Sequence, residues 1–184
     1  CSQSRGLGDV YKRQVLASCS QGISVDNGDW SGTINANSEE SKIVEKLAAA
    51  YVNGNFEIAN EYLADDAVHL VNGVEFTNEE WVAGYKQDQE VFDNIKHNDA
   101  NITTMYYNNG KIFTNHWLTW TGNSKLSGEA NTIHYYGYWE WKDGKIIATG
   151  AYMDTQWYFN EIGKYLETKY CLLYTSDAAD ERNS

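Results

Sequence analysis

The chain has 184 residues, 42% of them hydrophobic and 14% aromatic, enough for one domain with a core of its own. A formal net charge of -12 excludes a phosphate-backbone partner, because nucleic-acid binding draws its affinity from clustered Lys and Arg, and the three arginines are Arg5, Arg13 and Arg182. No apolar run reaches the roughly 18 to 20 residues that span a bilayer.

The two ends have a different character from the middle. Residues 4–14 read SRGLGDVYKRQ and residues 171–181 read CLLYTSDAADE. DNA encoding DVYKRQ has a reverse complement that encodes CLLYTS in a shifted frame. Both ends therefore resemble translated sequencing adaptors, and residues 1–14 and 171–184 are set aside from the fold reasoning. Between them lies one cysteine, Cys19, closing Val15-Leu16-Ala17-Ser18-Cys19. This string resembles the remnant of a bacterial lipoprotein signal: an aliphatic residue, two small ones, then the cysteine that receives lipid. Residues 20–37, rich in Gly, Ser, Asn and Asp, read as a flexible tether. The expected address is the bacterial cell envelope, on the periplasmic side or the outer membrane, with the chain held by lipid on Cys19.

The domain is expected over residues 38–164, with a short extension at 165–170. Asn37 with Glu40 forms a capping-box pattern, and Ile43, Leu47, Ala50 and Tyr51 recur at helical spacing until Asn53-Gly54. A second short helix carries Phe56, Ala59, Tyr62 and Leu63 inward and closes at Asp65-Asp66. Residues 67–71 form a strand entering the hairpin dipeptide Asn72-Gly73. Thr77 and Glu80 make another capping box, and Trp81, Tyr85, Phe92 and Ile95 form the stripe of a third helix. From Ile102 the period becomes two, with turns at residues 108–110 and 142–144 and a longer polar loop at 122–129. The order describes an α+β domain, with three N-terminal helices packed on a curved, mostly antiparallel sheet.

This order, with YVNGNFEIANEYLADDAVH early and WKDGKI before the last strand, resembles the nuclear-transport-factor-2-like superfamily, in particular its SnoaL-like branch, over about residues 38–163. The resemblance implies a cone-shaped fold around a small-molecule pocket and no cofactor, and no metal is expected because no close His, Asp and Glu cluster of ligand spacing appears in the sequence. It implies no single reaction, since the fold hosts isomerases, dehydratases, cyclases and members without activity. Ketosteroid isomerase uses a Tyr, an Asp base and a protonated Asp; here those places fall at Leu47, Val71 and Gly137, which cannot do that chemistry. An Asp-Arg-Asp set of the limonene-epoxide-hydrolase type is excluded because residues 15–170 lack arginine.

The same comparison aims Ile112, Thr114, His116 and Leu118 into the cone, with Ile133, Tyr135, Gly137 and Trp139, then Thr149, Ala151 and Met153. Tyr51 and His69 face the same space. The expected ligand-binding set is Tyr51, Thr114, Leu118, Tyr135, Trp139, Ala151, Met153 and, at the rim, Asp154. His116 is the leading acid or base and His69 the second, an arrangement similar to the His and Tyr pocket of scytalone dehydratase. His97 and His134 are expected in solvent. Phe113, Trp117, Tyr136 and Tyr138 point outward and are expected to pair two copies sheet to sheet. Three functions follow: a binder of a small apolar or aromatic molecule, a cofactor-free lyase or isomerase, or a non-catalytic dimerisation or protein-binding module. A cavity reaching both histidines favours the enzyme, and a cone plugged by Trp139 and Trp120 favours the module.

Overall fold

A computed structural model describes residues 28–180, with side chains described through residue 169. Cys19, the string that it ends, residues 1–14 and the side chains of residues 171–184 lie outside the described set. The elements in order are β1 (Gly32–Asn35), α1 (Glu39–Val52), a 3-10 turn (Phe56–Glu61), β2 (Leu63–Val71), β3 (Val74–Phe76), α2 (Asn78–Val91), β4 (Phe92–Tyr107), β5 (Ile112–Ser124), β6 (Ala130–Lys142), β7 (Lys145–Met153) and α3 (Gln156–Asp180). The strands form one seven-stranded sheet in the order β1-β4-β5-β6-β7-β2-β3. β2 pairs parallel with β7, and the other neighbours are antiparallel. The expected α+β architecture of helices on a curved, mostly antiparallel sheet is the one observed.

The helices start where side chains satisfy the first free N–H groups. Thr77 and Glu80 form the expected capping box of α2. At α1 the cap is Ser38 rather than Asn37, because the Ser38 hydroxyl accepts from the Ser41 N–H. Asn53 and Gly54, the latter with φ of 72°, end α1. Four boundaries differ from the sequence reading. Gly32–Asn35, expected within the tether, pair with β4 as an edge strand. Asp65 and Asp66 lie in β2 instead of closing a helix. α2 stops at Val91, so Phe92 and Ile95 belong to β4, and that strand starts ten residues before Ile102. The helix α3 after Met153 was not anticipated.

β4 bends around the helices through two irregularities in its pairing with β5. Between Asp93 and Lys96, and again between Asn98 and Asn101, one extra residue is inserted relative to β5. Asn94 (φ 52°) and Asp99 (φ 51°) take the left-handed conformation at these points, which Asn and Asp tolerate better than most residues.

The core fills the space between the helices and the concave sheet face, with Val44, Leu47, Phe56, Trp81, Phe92, Trp120 and Ile146 buried. α3 is pinned to this body by a buried carboxylate. Glu161 is fully buried, accepts from the Ser127 hydroxyl at 2.8 Å and pairs with Lys164 one turn on. The Lys164 ammonium, and then the hydroxyls of Ser124 and Ser127, hold its carboxyl down to about 2.

Candidate functional site

A cavity of about 50 Å³ lies between the helices and the concave face of β4, β5 and β6. Its polar wall is built from three elements. α2 contributes Asp88, which sits on the buried side of the helix with Trp81 and Tyr85 at spacings of seven and three. The Asp88 carboxylate accepts from the Tyr51 hydroxyl of α1 at 2.9 Å and from the Tyr158 hydroxyl of α3. Tyr51 in turn accepts from the Trp120 indole N–H at 2.9 Å. Three elements of the fold thus meet at one carboxylate that is 1% exposed.

Burial sets the charge state of this site. It pushes the Asp88 carboxyl up to about 7, against the opposing pull of the two tyrosine hydroxyls. Burial also pushes Tyr51, Tyr85 and Tyr158 well above the usual phenol range and Tyr135 to about 12, so all four remain neutral donors at physiological pH. His116 is pushed down to about 4 by burial and then by its neighbour His97; His97 falls to about 4 by burial alone. The wall therefore carries one carboxyl that titrates near neutrality and two uncharged imidazoles.

The imidazoles come from adjacent strands. His116 on β5 is 3% exposed, and its ring lies 5.9 Å from those of His97 and Tyr135. His97 stacks on Tyr51 at 5.2 Å with 19° between the rings. Gly137 on β6 makes room for Tyr135 to lie along the sheet, since a Cβ there would meet the Tyr135 hydroxyl at 2.3 Å. Nε2 of His116, Nδ1 of His97 and Nε1 of Trp139 are buried without a hydrogen-bond partner among the described residues. All three belong to residues that line the cavity. Buried polar atoms are paired in the great majority of cases, so these three are open to a hydrogen bond from water or a bound molecule.

Of the residues singled out from the sequence, His116, Tyr51, Leu118, Tyr135, Trp139 and Met153 line this cavity. Four do not. His69 is fully buried away from it, with Nδ1 at 2.8 Å from the Thr149 hydroxyl and Nε2 at 2.8 Å from Oδ1 of Asn78. Asn78 donates its amide to the Ala64 carbonyl, which leaves Oδ1 to accept from the His69 Nε2–H. Both ring nitrogens of His69 are thus engaged, its ring stacks 4.1 Å from that of Trp81, and the structure does not bring it to the cavity with His116. Thr114 is tied to Thr104 and accepts from the Trp141 indole N–H. Ala151 packs within the sheet. Asp154 is exposed, and its carboxylate accepts from the Gln156 N–H at the start of α3.

Three wall residues escaped the sequence reading. Asp88 was legible in principle, as an acidic residue inside the apolar stripe that starts at Trp81 and Tyr85. Tyr158 belongs to the unanticipated α3. His97, expected in solvent, faces inward because the extra residue near Asp99 shifts the alternation of β4. Counting by twos from the inward Ile102 turns His97 outward, whereas the observed register sets it opposite Trp120, on the inner face.

No family model and no curated protein sequence matches the chain. Solved structures do. AclR, a candidate hydroxylase from Streptomyces galilaeus, superposes with a TM-score of 0.54 at 14% identity, over 68% of this chain and 96% of its own. IdmH, a candidate polyketide cyclase from Streptomyces antibioticus, gives 0.53 at 17% identity over 68% and 99%. A candidate polyketide cyclase from Xanthomonas campestris gives 0.52 at 13% over 66% and 95%. The chain thus shares the fold of this candidate hydroxylase and these candidate polyketide cyclases, the nuclear-transport-factor-2-like α+β fold.

Proposed function

We propose that the cone binds a small apolar or aromatic molecule bearing an oxygen function, and that Asp88 exchanges a proton with it without metal or cofactor. The observation that carries this reading is the Asp88 carboxyl, buried in an aromatic cavity and raised to about 7, beside two neutral histidines with unpaired ring nitrogens. A base poised near ambient pH combines proton affinity with availability. A neutral imidazole is an effective hydrogen-bond donor to a developing oxyanion. The division of labour is therefore Asp88 as base, with His116 and His97 polarising the substrate oxygen. His116, held near 4, is a weak base at pH 7. The matching reaction class is proton abstraction beside a carbonyl, leading to isomerisation, elimination or ring closure, and the likeness to candidate polyketide cyclases fits it.

The test needs no knowledge of the natural substrate. In D2O at pH 7, 2-tetralone is expected to exchange its α-protons in the presence of the protein, followed by proton NMR. Asp88→Asn lowers that rate about 100- to 10,000-fold. Equal rates for the two proteins sink the proton-transfer reading and leave simple binding.

Location and assembly are proposed on separate grounds. Trp117 (43% exposed) and Tyr152 (47%) flank Tyr136 on the convex sheet face, with ring centroids 5.5 and 6.3 Å from it, and this aromatic surface suits a second copy. Light scattering at micromolar concentration should report a dimer; a monomer throughout rejects it. Anchoring in the bacterial envelope rests on Cys19, and Cys19→Ser should move the protein out of the membrane fraction.

A further inference from the structure

An aromatic ligand that touches Asp88 or His116 outgrows this cavity. A void of about 150 Å³ is known to accept benzene, and the cavity here measures about 50 Å³. Two larger clefts adjoin it. One, about 490 Å³, lies between α1 and β4, shares Ala48, His97 and His116 with the cavity, and is edged by Glu45, Asn53, Lys96 and Asn98. The other, about 440 Å³, lies between α2 and α3 and shares Tyr85, Met153 and Tyr158 with the cavity. Its remaining walls are mainly apolar, with Val71, Phe76, Trp81, Phe159 and Ile162.

Gly84 separates the two candidates further. It sits inside α2, where glycine weakens a helix, and it lines the α2–α3 cleft. A Cβ built there meets nothing within 4 Å, so no close packing demands a glycine. Because Gly84 lines the cleft and the space before it is open, a large side chain there would narrow the cleft. At the inner end, the unpaired Nε2 of His116 and Nε1 of Trp139 belong to side chains 3% and 6% exposed, which marks the polar end of a continuous site. Tyr158 stands between the compartments and also covers one oxygen of Asp88. Turning that one side chain would release one Asp88 oxygen and open its share of the common wall, which Tyr85 and Met153 also form.

We propose that the α2–α3 cleft is the second compartment of this site and takes the saturated chain of an amphipathic ligand, whose oxygen-bearing ring lies against Asp88 and His116, with Tyr158 as the movable partition. This rests on the cone being a ligand site. A series of 4-alkylphenols from methyl to hexyl, titrated against the full chain by tryptophan fluorescence, tests both separately. The short 4-methylphenol should bind saturably, and affinity should rise about two- to fourfold per added methylene. In Gly84→Phe the rise should shrink below twofold across the series, while 4-methylphenol keeps its Kd within twofold. Ala83→Leu, on the same wall, should flatten the series too, which guards against a helix perturbed by the phenyl group. A flat series in the unaltered protein, or a rise that survives both variants, overturns the cleft while binding of 4-methylphenol upholds the cone. Absence of saturable binding by every phenol overturns both.

Discussion

Two buried polar clusters lie under the same sheet and differ in one respect. Around His69, every polar group has a partner: Thr149 on one nitrogen, Asn78 on the other, Ala64 behind Asn78. Around His116 the partners run out, and three nitrogen atoms on the cavity wall have none among the described residues. The residue types are similar and the burial is similar, so neither identifies function. Hydrogen-bond satisfaction separates the two: a completed network stabilises one conformation, whereas an incomplete one leaves groups able to bond a ligand or water at a cost of about 1 to 3 kcal/mol per group.

Removing a partner from the completed cluster should do the most damage. His69→Ala leaves Thr149 and Asn78 unpaired and a void beside Trp81, and should cost about 3 to 4 kcal/mol in urea unfolding; a loss under 1 kcal/mol breaks the contrast. Next comes Asp88, whose contribution depends on pH. Its carboxyl releases its proton near 3.8 when unfolded and at about 7 when folded, so the folded state binds more protons in between, and stability falls as pH rises from about 4 to about 7. His97 and His116 act oppositely: unfolded imidazoles charge below about 6.5 and the folded ones only near 4, so their contribution falls as pH drops through that window. Asp88→Asn removes the first term alone. The stability of the variant relative to the parent should climb by roughly 2 to 4 kcal/mol between pH 4 and pH 7 and then level off; a flat difference removes the case for a raised carboxyl. His116→Phe, taken from the incomplete cluster, should leave stability unchanged or raise it by up to about 1 kcal/mol. Gly84→Ala should add about 0.5 to 1 kcal/mol, read as a higher Tm, if helix propensity was given up to keep the cleft wide.

Much of the fold was written in local chemistry. Asn72-Gly73, residues 108–110 and residues 142–144 form the expected turns, and the inward set on β5 and β6 follows simple alternation. The misreadings cluster where two periods blend. Trp81, Tyr85 and Phe92 lie at helical spacing, so nothing local announces that Phe92 has become strand; the change of period is made by tertiary pairing with Ser124. The irregularity near Asp99 then reversed the face of His97, because alternation carries no memory of an inserted residue. The candidate site was half legible for the same reason. His116, Tyr51, Tyr135 and Trp139 follow from strand and helix faces. Asp88 required weighing one acidic position inside an aromatic stripe, and Tyr158 required a helix joined to the rest of the fold through side chains distant in sequence, Tyr158 to Asp88 and Glu161 to Ser127.

The buried Glu161 has a kinetic consequence. It clamps α3 to the β5–β6 connection within one turn of Tyr158, and its carboxyl stays ionised down to about pH 2. The clamp therefore holds across the whole range in which Asp88 titrates. Opening the partition is then a rotation of one side chain against a fixed helix, not an undocking of the helix. Side-chain reorientation is faster than the microsecond to millisecond motions of whole elements, so admission of a ligand should be governed by diffusion and desolvation, and any pH dependence of association should follow Asp88, to which the Tyr158 hydroxyl donates, and not the clamp.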